Sequence, residues 1–115
     1  MLKIIFSEKG EAVSDFEVRN KAKEVIKNYL NEKNDIELFV SNECYFDTFV
    51  LYTMKGLISE EDIEFYYGDV KLLYNEYKGT HFPKGFLFEG IHTSIVSEII
   101  GIGCEKMLKG CEKNA

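Results

Sequence analysis

The sequence predicts a single α+β domain in which two to three helices cover a small mixed or antiparallel sheet. The chain has 115 residues, with 45% hydrophobic and 30% charged side chains, as expected for one globular domain. Short apolar, β-branched runs alternate with segments whose apolar residues repeat at three- and four-residue spacing. We therefore expect the order β-α-β-α-β-β-β-α, with residues 1–110 as the domain and residues 111–115 as a frayed polar tail.

The first two predicted elements are a short strand and an amphipathic helix. Leu2–Phe6 is apolar and β-branched, and the polar residues Ser7–Gly10 bound it. Ser14 and Glu17 have the spacing of a capping box, which predicts that the helix begins there. The polar run 31–35 is expected to end this helix, whose apolar stripe consists of Val18, Ala22, Val25, Ile26, Tyr29 and Leu30.

A second strand and a second helix follow. Ile36–Val40 is the predicted strand, and Ser41 or Asn42 caps the helix after it. Apolar residues repeat at helical spacing from Phe46 to Leu57, and Gly56 has the position of a C-terminal glycine stop. The aromatic and β-branched content of this segment also suits a strand, so this alternative stays open.

The third part of the chain contains a predicted hairpin. Ile63–Tyr67 and Val70–Tyr77 form its strands, with Gly68 at positive φ in a two-residue turn. The spacing of the apolar residues in this segment also permits a helix. A short strand at Phe86–Phe88 precedes a long C-terminal helix that begins after Gly90, with an apolar face of Ile91, Ile95, Ile99, Ile102 and Met107.

Two glycines lie inside the predicted C-terminal helix. Gly101 and Gly103 together lower helix propensity by about 2 kcal/mol relative to alanine. A local bend, or close packing against another helix or another subunit, would compensate for this loss. We expect a close contact.

Charge and cysteine content restrict the function. The formal net charge is −6, and Arg19 is the single arginine, so we expect no general nucleic-acid binding. The sequence has no apolar run long enough for a membrane span or a signal peptide. The three cysteines are expected to be reduced, small buried side chains in a cytoplasm: Cys44, Cys104 and Cys111. Abundant Lys, Ile, Asn, Phe and Tyr indicate a low-GC genome, that of a bacterium or a phage.

Two neighbouring segments form the candidate ligand site. In the loop 78–85, we expect Phe82 to stack on a planar ligand. We expect His81 and Lys84 to contact an anion, with Thr80 next to them in the sequence. An ordinary loop whose phenylalanine packs into the core is the alternative. At the start of the last helix, free amides and the helix dipole attract a phosphate or carboxylate, although a plain N-cap is also consistent with the residues there: Gly90, His92, Thr93 and Ser94.

Together the two segments predict a pocket for a small, aromatic, anionic molecule such as a nucleotide. Arg19 is a further candidate anion clamp. We expect no cofactor and no metal ion, because the His and Cys residues lack metal-ligand spacing. His81 and His92 are the candidates for an acid–base pair, since histidine titrates near neutral pH. The acidic run Glu60–Asp62 with Glu64 is a solvated loop or a surface for a basic protein partner.

The small size, the acidic composition and an aromatic loop before a C-terminal helix resemble one family. The residues that carry this resemblance are Thr80-His81-Phe82-Pro83 and Gly90-Ile91-His92-Thr93. The family is that of the phage Thoeris anti-defence proteins, which sequester cyclic ADP-ribose immune signals. The resemblance implies an oligomer that binds a nucleotide-derived signal in a pocket shared between subunits, without cleaving it. The single arginine departs from what pyrophosphate binding usually recruits.

These observations lead to three expectations about function. The first is a non-catalytic, cytoplasmic, homo-oligomeric protein of phage or mobile-element origin that sequesters a nucleotide-derived anion. The second is a protein–protein inhibitor that acts on a host enzyme through its acidic surface. The third is a small histidine-dependent hydrolase.

Overall fold

The computed structural model describes residues 1–75, 79–80 and 91–113, and only the backbone of residues 91–94, 96 and 110–113. The elements of the described part confirm the predicted α+β class and order: β1 (Leu2–Glu11), α1 (Val18–Glu32), β2 (Ile36–Val40), α2 (Glu43–Met54), β3 (Ile63–Tyr67), β4 (Val70–Leu72) and α3 (Ile91–Lys113). The strand predicted at 86–88 lies outside the described residues.

The four strands form one mixed sheet in the order β2-β1-β3-β4. β1 is parallel to both β2 and β3, and β3 pairs with β4 in an antiparallel hairpin. Gly68 has φ 57° in the hairpin turn, so residues 63–72 form strands and not the alternative helix. β4 ends at Leu72, five residues before the predicted end, because its antiparallel pairing with β3 extends only from Val70 to Leu72.

One face of the sheet belongs to the hydrophobic core. Leu2 and Ile4 on β1 and Ile63 and Phe65 on β3 are buried, whereas the residues between them are half-buried. This period of two follows from the alternation of side chains along a strand. Phe39 on β2 points to the opposite face and is exposed, which marks that face as the outer one.

β1 is longer than its apolar run. The prediction that Ser7–Gly10 ends the strand is wrong, because β1 continues to Glu11 and pairs with Val40 again after a register irregularity. The amide of Ser41 donates to the Glu11 carbonyl at 2.9 Å, which anchors this end. Gly10 is required there because a Cβ would lie 2.6 Å from the Val40 backbone.

α2 is the central helix of the domain. Every residue from Cys44 to Met54 is buried, so the aromatic content reflects burial on all sides and not a strand. Two threonines in this apolar helix satisfy their hydroxyls locally: Thr48 donates to the Cys44 carbonyl at 2.7 Å, and Thr53 donates to the Phe49 carbonyl at 2.8 Å. α2 contacts β1 and β2, and both α1 and α3 pack against it.

The first helix begins later than predicted. α1 starts at Val18 with Glu17 as its N-cap residue, and no side chain caps it. The predicted capping box is therefore wrong, because the Ser14 hydroxyl lies in the turn before the helix and accepts from the Phe16 amide at 3.4 Å. The helix ends at Glu32 with Lys33 in a left-handed conformation, within the polar run that was expected to stop it.

The ends of α2 confirm one predicted cap and modify the other. Gly56 has φ 84° and donates to the Thr53 carbonyl at 3.1 Å, while Leu57 donates to the Tyr52 carbonyl at 3.0 Å. These two bonds form a Schellman motif, as the glycine predicted. Asn42 is the N-cap residue, but its side chain bonds the backbone of Val13 instead of the helix.

α3 is continuous through both of its glycines. Ile95 and Ile99 are buried against the core as predicted, but Met107 and Cys104 are exposed, so the predicted burial of these two side chains is wrong. The C-terminal part of α3 extends past the hydrophobic core, which leaves Cys104 and Met107 uncovered. A Cβ on Gly101 would meet nothing within 4 Å, so the close contact predicted there is absent inside the described ranges. Within the described ranges, no helix combines the length and hydropathy needed to cross a membrane.

Candidate functional site

The structure describes some of the predicted site residues. Thr80 and Arg19 are described in full, and His92, Thr93 and Ser94 lie in the first turn of α3, where the backbone alone is described. The remaining candidates lie outside the described residues: His81, Phe82, Lys84 and Gly90. The predicted pocket between the loop and the helix start stays a prediction, and α3 is described from Ile91 onwards.

Arg19 forms an ion pair that the sequence analysis missed. Its two terminal nitrogens contact the two carboxylate oxygens of Glu98 on α3, Nη2 to Oε1 at 2.7 Å and Nη1 to Oε2 at 3.4 Å. Lys55, directly after α2, places its Nζ 3.5 Å from Glu98 Oε2. We call these three residues the Glu98 cluster. Through one carboxylate on α3 it connects the start of α1 with the end of α2.

The electrostatics of the Glu98 cluster leave positive charge in excess. The hydrogen bonds from Arg19 hold the pKa of the Glu98 carboxyl below its ordinary value, and the charge of Lys55 adds to this effect. The same contact raises the pKa of Arg19. Two cations thus share one carboxylate, so the cluster carries a formal charge of about +1 in a chain of net charge −6.

Tyr52 on α2 positions the backbone that carries Arg19. Its hydroxyl donates to the Arg19 carbonyl at 3.3 Å, and Lys23 lies 5.6 Å from the centre of its ring. A signal for this arrangement was present in the sequence, because Glu98 is the one charged residue between 91 and 100. Its partners follow only from the packing of α1 and α3 on α2.

Thr80 directly follows Gly79, which lies against α2 and α3. Gly79 has φ 71°, and a Cβ on it would lie 2.8 Å from Val50 Cγ1 and 3.5 Å from Ile99 Cγ2. The chain therefore passes close to the contact of α2 with α3 just before Thr80. The Thr80 hydroxyl oxygen is buried and has no hydrogen-bond partner among the described residues.

The Glu98 cluster lies near the N-terminus of α3. Glu98 follows Ser94 by four residues, which is about 6 Å along a helix. The first-turn amides of a helix have no intrahelical acceptor and carry its positive dipole end. Helix amides and surplus cations therefore act on the same region of α3, and both favour a bound anion.

Cys44 is a buried thiol on α2. Burial, with the nearby Asp15 and Asp47, raises the pKa of the Cys44 thiol to about 12, so it stays protonated at neutral pH. No group of three His, Cys, Asp or Glu side chains in these ranges has the geometry to hold a metal ion.

A cavity of about 390 Å³ is a second candidate site, and part of the acidic run lines it. Its lining includes the charged residues Glu60, Glu61, Glu64 and Lys71 and the apolar residues Phe65 and Leu72. Glu64 is paired with Lys71 at 2.5 Å.

Comparison of the chain with known protein families, with curated proteins and with solved structures finds no match.

Proposed function

We propose that this protein is a non-catalytic binding protein of phage or mobile-element type that captures a small nucleotide-derived anion in the host cytoplasm and acts as a homo-oligomer. The observation that carries the proposal is the Glu98 cluster, in which Arg19 and Lys55 share one carboxylate about two turns beyond the start of α3.

Charge is the first argument for an anionic ligand. The net charge of −6 repels anions from most of the surface, so a capture site requires a local excess of positive charge. Arg19 and Lys55 supply that excess, and the first-turn amides of α3 extend it along the helix. Arginine is the side chain best suited to two parallel hydrogen bonds with a phosphate.

The arrangement suits capture more than turnover. In this proposal a phosphate binds at the first turn of α3, the segment that contains Thr93 and Ser94, and Arg19 moves part of its hydrogen bonding from Glu98 to the ligand. From the sequence we expect Phe82 to stack on the base, and Thr80, His81 and Lys84 to complete the wall of the pocket. These residues bind and orient the ligand, and no bond in it is formed or broken.

Native mass spectrometry against mononucleotides, cyclic nucleotides and ADP-ribose-type nucleotides tests this proposal. We expect a bound, unmodified ligand. Arg19→Gln and Phe82→Ala should weaken binding at least tenfold, whereas Glu98→Gln should strengthen it because both cations are released. Lys27→Gln removes the same charge from an exposed position two turns further along α1 and should leave affinity unchanged. A wild-type protein that binds none of these nucleotides at millimolar concentration would overturn the proposal.

A second candidate function is inhibition of a basic host protein. The observation in its favour is that Glu60 and Glu61 line the cavity together with Phe65 and Leu72, so negative charge and apolar side chains occur in the same cavity. A triple variant, Glu60→Gln with Glu61→Gln and Asp62→Asn, should then abolish a salt-sensitive complex in a pull-down from host lysate. A complex that survives this change would exclude the acidic run as the contact.

A further inference from the structure

The Glu98 cluster has more donor nitrogens than acceptor oxygens. Arg19 Nη2 lies 2.7 Å from Glu98 Oε1, and Arg19 Nη1 lies 3.4 Å from Oε2. Lys55 Nζ lies 3.5 Å from the same Oε2. Three cationic nitrogens therefore face two oxygens, and both contacts to the shared Oε2 are longer than the typical N–H···O distance of about 2.9 Å. A two-oxygen group thus satisfies Arg19 but not Arg19 and Lys55 together.

The charges of the cluster do not balance either. Arg19 and Lys55 carry one positive charge each, and Glu98 carries one negative charge, since the hydrogen bonds from Arg19 lower its pKa. Among the described residues, no second carboxylate lies within ion-pair distance of Arg19 or Lys55. One positive charge is therefore left for a ligand.

The cluster is accessible from solvent. The side chains of Arg19, Glu98 and Lys55 are 38%, 40% and 41% exposed. Because exposed ion pairs contribute little free energy, turning the Glu98 carboxylate aside should cost a ligand less than about fivefold in affinity. Glu98 therefore occupies the two cations without closing them to a stronger anion.

We propose that the captured anion bears a terminal phosphate monoester, whose three free oxygens replace the Glu98 carboxylate, one for each of the three nitrogens of Arg19 and Lys55. A phosphate monoester carries a charge of about −1.5 to −2 at pH 7, so it balances the two cations. This inference rests on the proposed function and deepens it, because it names the class of nucleotide that the site takes.

A phosphate diester, such as the ring linkage of a cyclic nucleotide, fits the cluster less well. It has two free oxygens and one negative charge, as the Glu98 carboxylate does. Exchange of Glu98 for a diester therefore gains no acceptor and no charge, while the ligand loses translational and rotational freedom on binding. The attached carboxylate is favoured in that competition, so the site selects a terminal phosphate.

The net charge of the chain distinguishes this local match from general electrostatic attraction. With a net charge of −6, the protein repels a doubly charged ligand more strongly than a singly charged one. Long-range electrostatics therefore favours the diester. A measured preference for the monoester has to come from groups that contact the phosphate, and Arg19 and Lys55 are the cations that the cluster supplies.

Isothermal titration calorimetry with adenosine 5′-monophosphate and adenosine 3′,5′-cyclic monophosphate tests the inference. We expect the wild type to bind the monoester at least tenfold more tightly than the cyclic diester. Lys55→Gln removes the third cationic nitrogen and should reduce this preference to threefold or less, whereas Lys55→Arg should retain it. The matched control is Lys27→Gln, which removes the same charge from an exposed position on α1 and should leave the preference unchanged.

Two results would overturn the inference and leave capture supported. One is a wild type that binds the cyclic nucleotide as tightly as the monoester, because the number of free oxygens would then not matter. The other is a preference that survives Lys55→Gln in a protein with unchanged far-ultraviolet circular dichroism, because the third nitrogen would then contribute nothing.

Ribose 5-phosphate separates the inference from the proposed function, since it keeps the phosphate monoester and lacks the base. Lys55-dependent binding of ribose 5-phosphate, with no tighter binding of adenosine 5′-monophosphate, would support the three-oxygen site and overturn a nucleotide as its ligand. Absence of binding by both monoesters at millimolar concentration would overturn the inference together with the capture of mononucleotides.

Discussion

Arg19 on α1 and Glu98 on α3 are 79 positions apart in the chain and form a two-point ion pair, with Arg19 Nη2 2.7 Å from Oε1 and Nη1 3.4 Å from Oε2. Lys55 at the end of α2 contacts the same carboxylate. The pair therefore connects both outer helices across the central one. The contact depends on pH, because it requires the ionised Glu98 carboxylate, whose pKa Arg19 lowers.

Acidification should remove the contribution of Glu98 to stability. Arg19 lowers the pKa of Glu98 in the folded state below its ordinary value of 4.5. The stabilisation is therefore present above pH 4.5 and is lost as pH falls through the lower, folded-state pKa. Because both side chains are more than a third exposed, solvent screening limits the effect to below about 1 kcal/mol.

Urea unfolding of the wild type and Glu98→Gln between pH 7 and pH 3 measures this effect. The wild type should be the more stable protein at pH 7, and the difference should become smaller as the pH falls below 4.5. A difference of the same size at both pH values would show that the carboxylate charge contributes nothing.

Gly10→Ala should be among the most destabilising glycine substitutions in this chain. The new Cβ would lie 2.6 Å from backbone atoms of Phe39 and Val40, which cannot move without breaking the pairing of β1 with β2. We expect a loss of about 3 kcal/mol or more in the free energy of unfolding. Chemical denaturation monitored by tyrosine fluorescence measures it.

The matched control for this prediction is Gly56→Ala. Gly56 has φ 84°, but a Cβ there would have nothing within 4 Å, so only the left-handed backbone opposes the substitution. The expected loss is about 1–2 kcal/mol. Equal losses at the two positions would mean that the steric contact at Gly10 is relieved by a shift of the strands.

Gly79→Ala should disturb the approach of the chain to Thr80. It combines φ 71° with a Cβ 2.8 Å from Val50 Cγ1, so we expect a loss of about 2–4 kcal/mol from the two effects. Adding Val50→Ala removes the contacting methyl group. The double variant should lose less than the sum of the two single variants in a thermal unfolding cycle, and strict additivity would contradict the predicted contact.

The cysteines should differ strongly in reactivity. Burial raises the pKa of Cys44 to about 12, whereas Cys104 is exposed. In a Cys111→Ser background at pH 8, a thiol reagent should modify Cys104 quickly and Cys44 only after unfolding. The Cys104→Ser variant provides the control. Modification of native Cys44 at the rate of Cys104 would contradict its burial.

Several elements were predictable because their signals are local. Gly56 ends α2 in a Schellman motif and Gly68 forms the hairpin turn, since both need a positive φ that glycine adopts without steric strain. Ile36–Val40 is a strand with the predicted bounds, because its polar neighbours cannot extend the apolar run. The repeats of α1 and α3 likewise identified Ala22, Ile26, Ile95 and Ile99 as buried.

Errors arose where a distant partner decided the outcome. Ser7–Gly10 are polar, yet they extend β1 because this segment leads to the pairing of Glu11 with the end of β2. Met107 and Cys104 continue helical patterns of apolar residues, but α3 extends past the core that would cover them. The predicted ligand loop 81–90 lies outside the described residues, so that part of the site rests on the sequence.

By itself, the sequence determined the α+β class, the order of the described elements and the turns that depend on glycine, because these follow from backbone preferences and from periodicity within a few residues. Only the tertiary structure decided that α2 is the central helix, that Arg19 pairs with Glu98, and that Ile100, Met107 and Leu108 on α3 are exposed. These outcomes depend on which surfaces remain after α1 and α3 pack on α2, and no local pattern encodes that geometry.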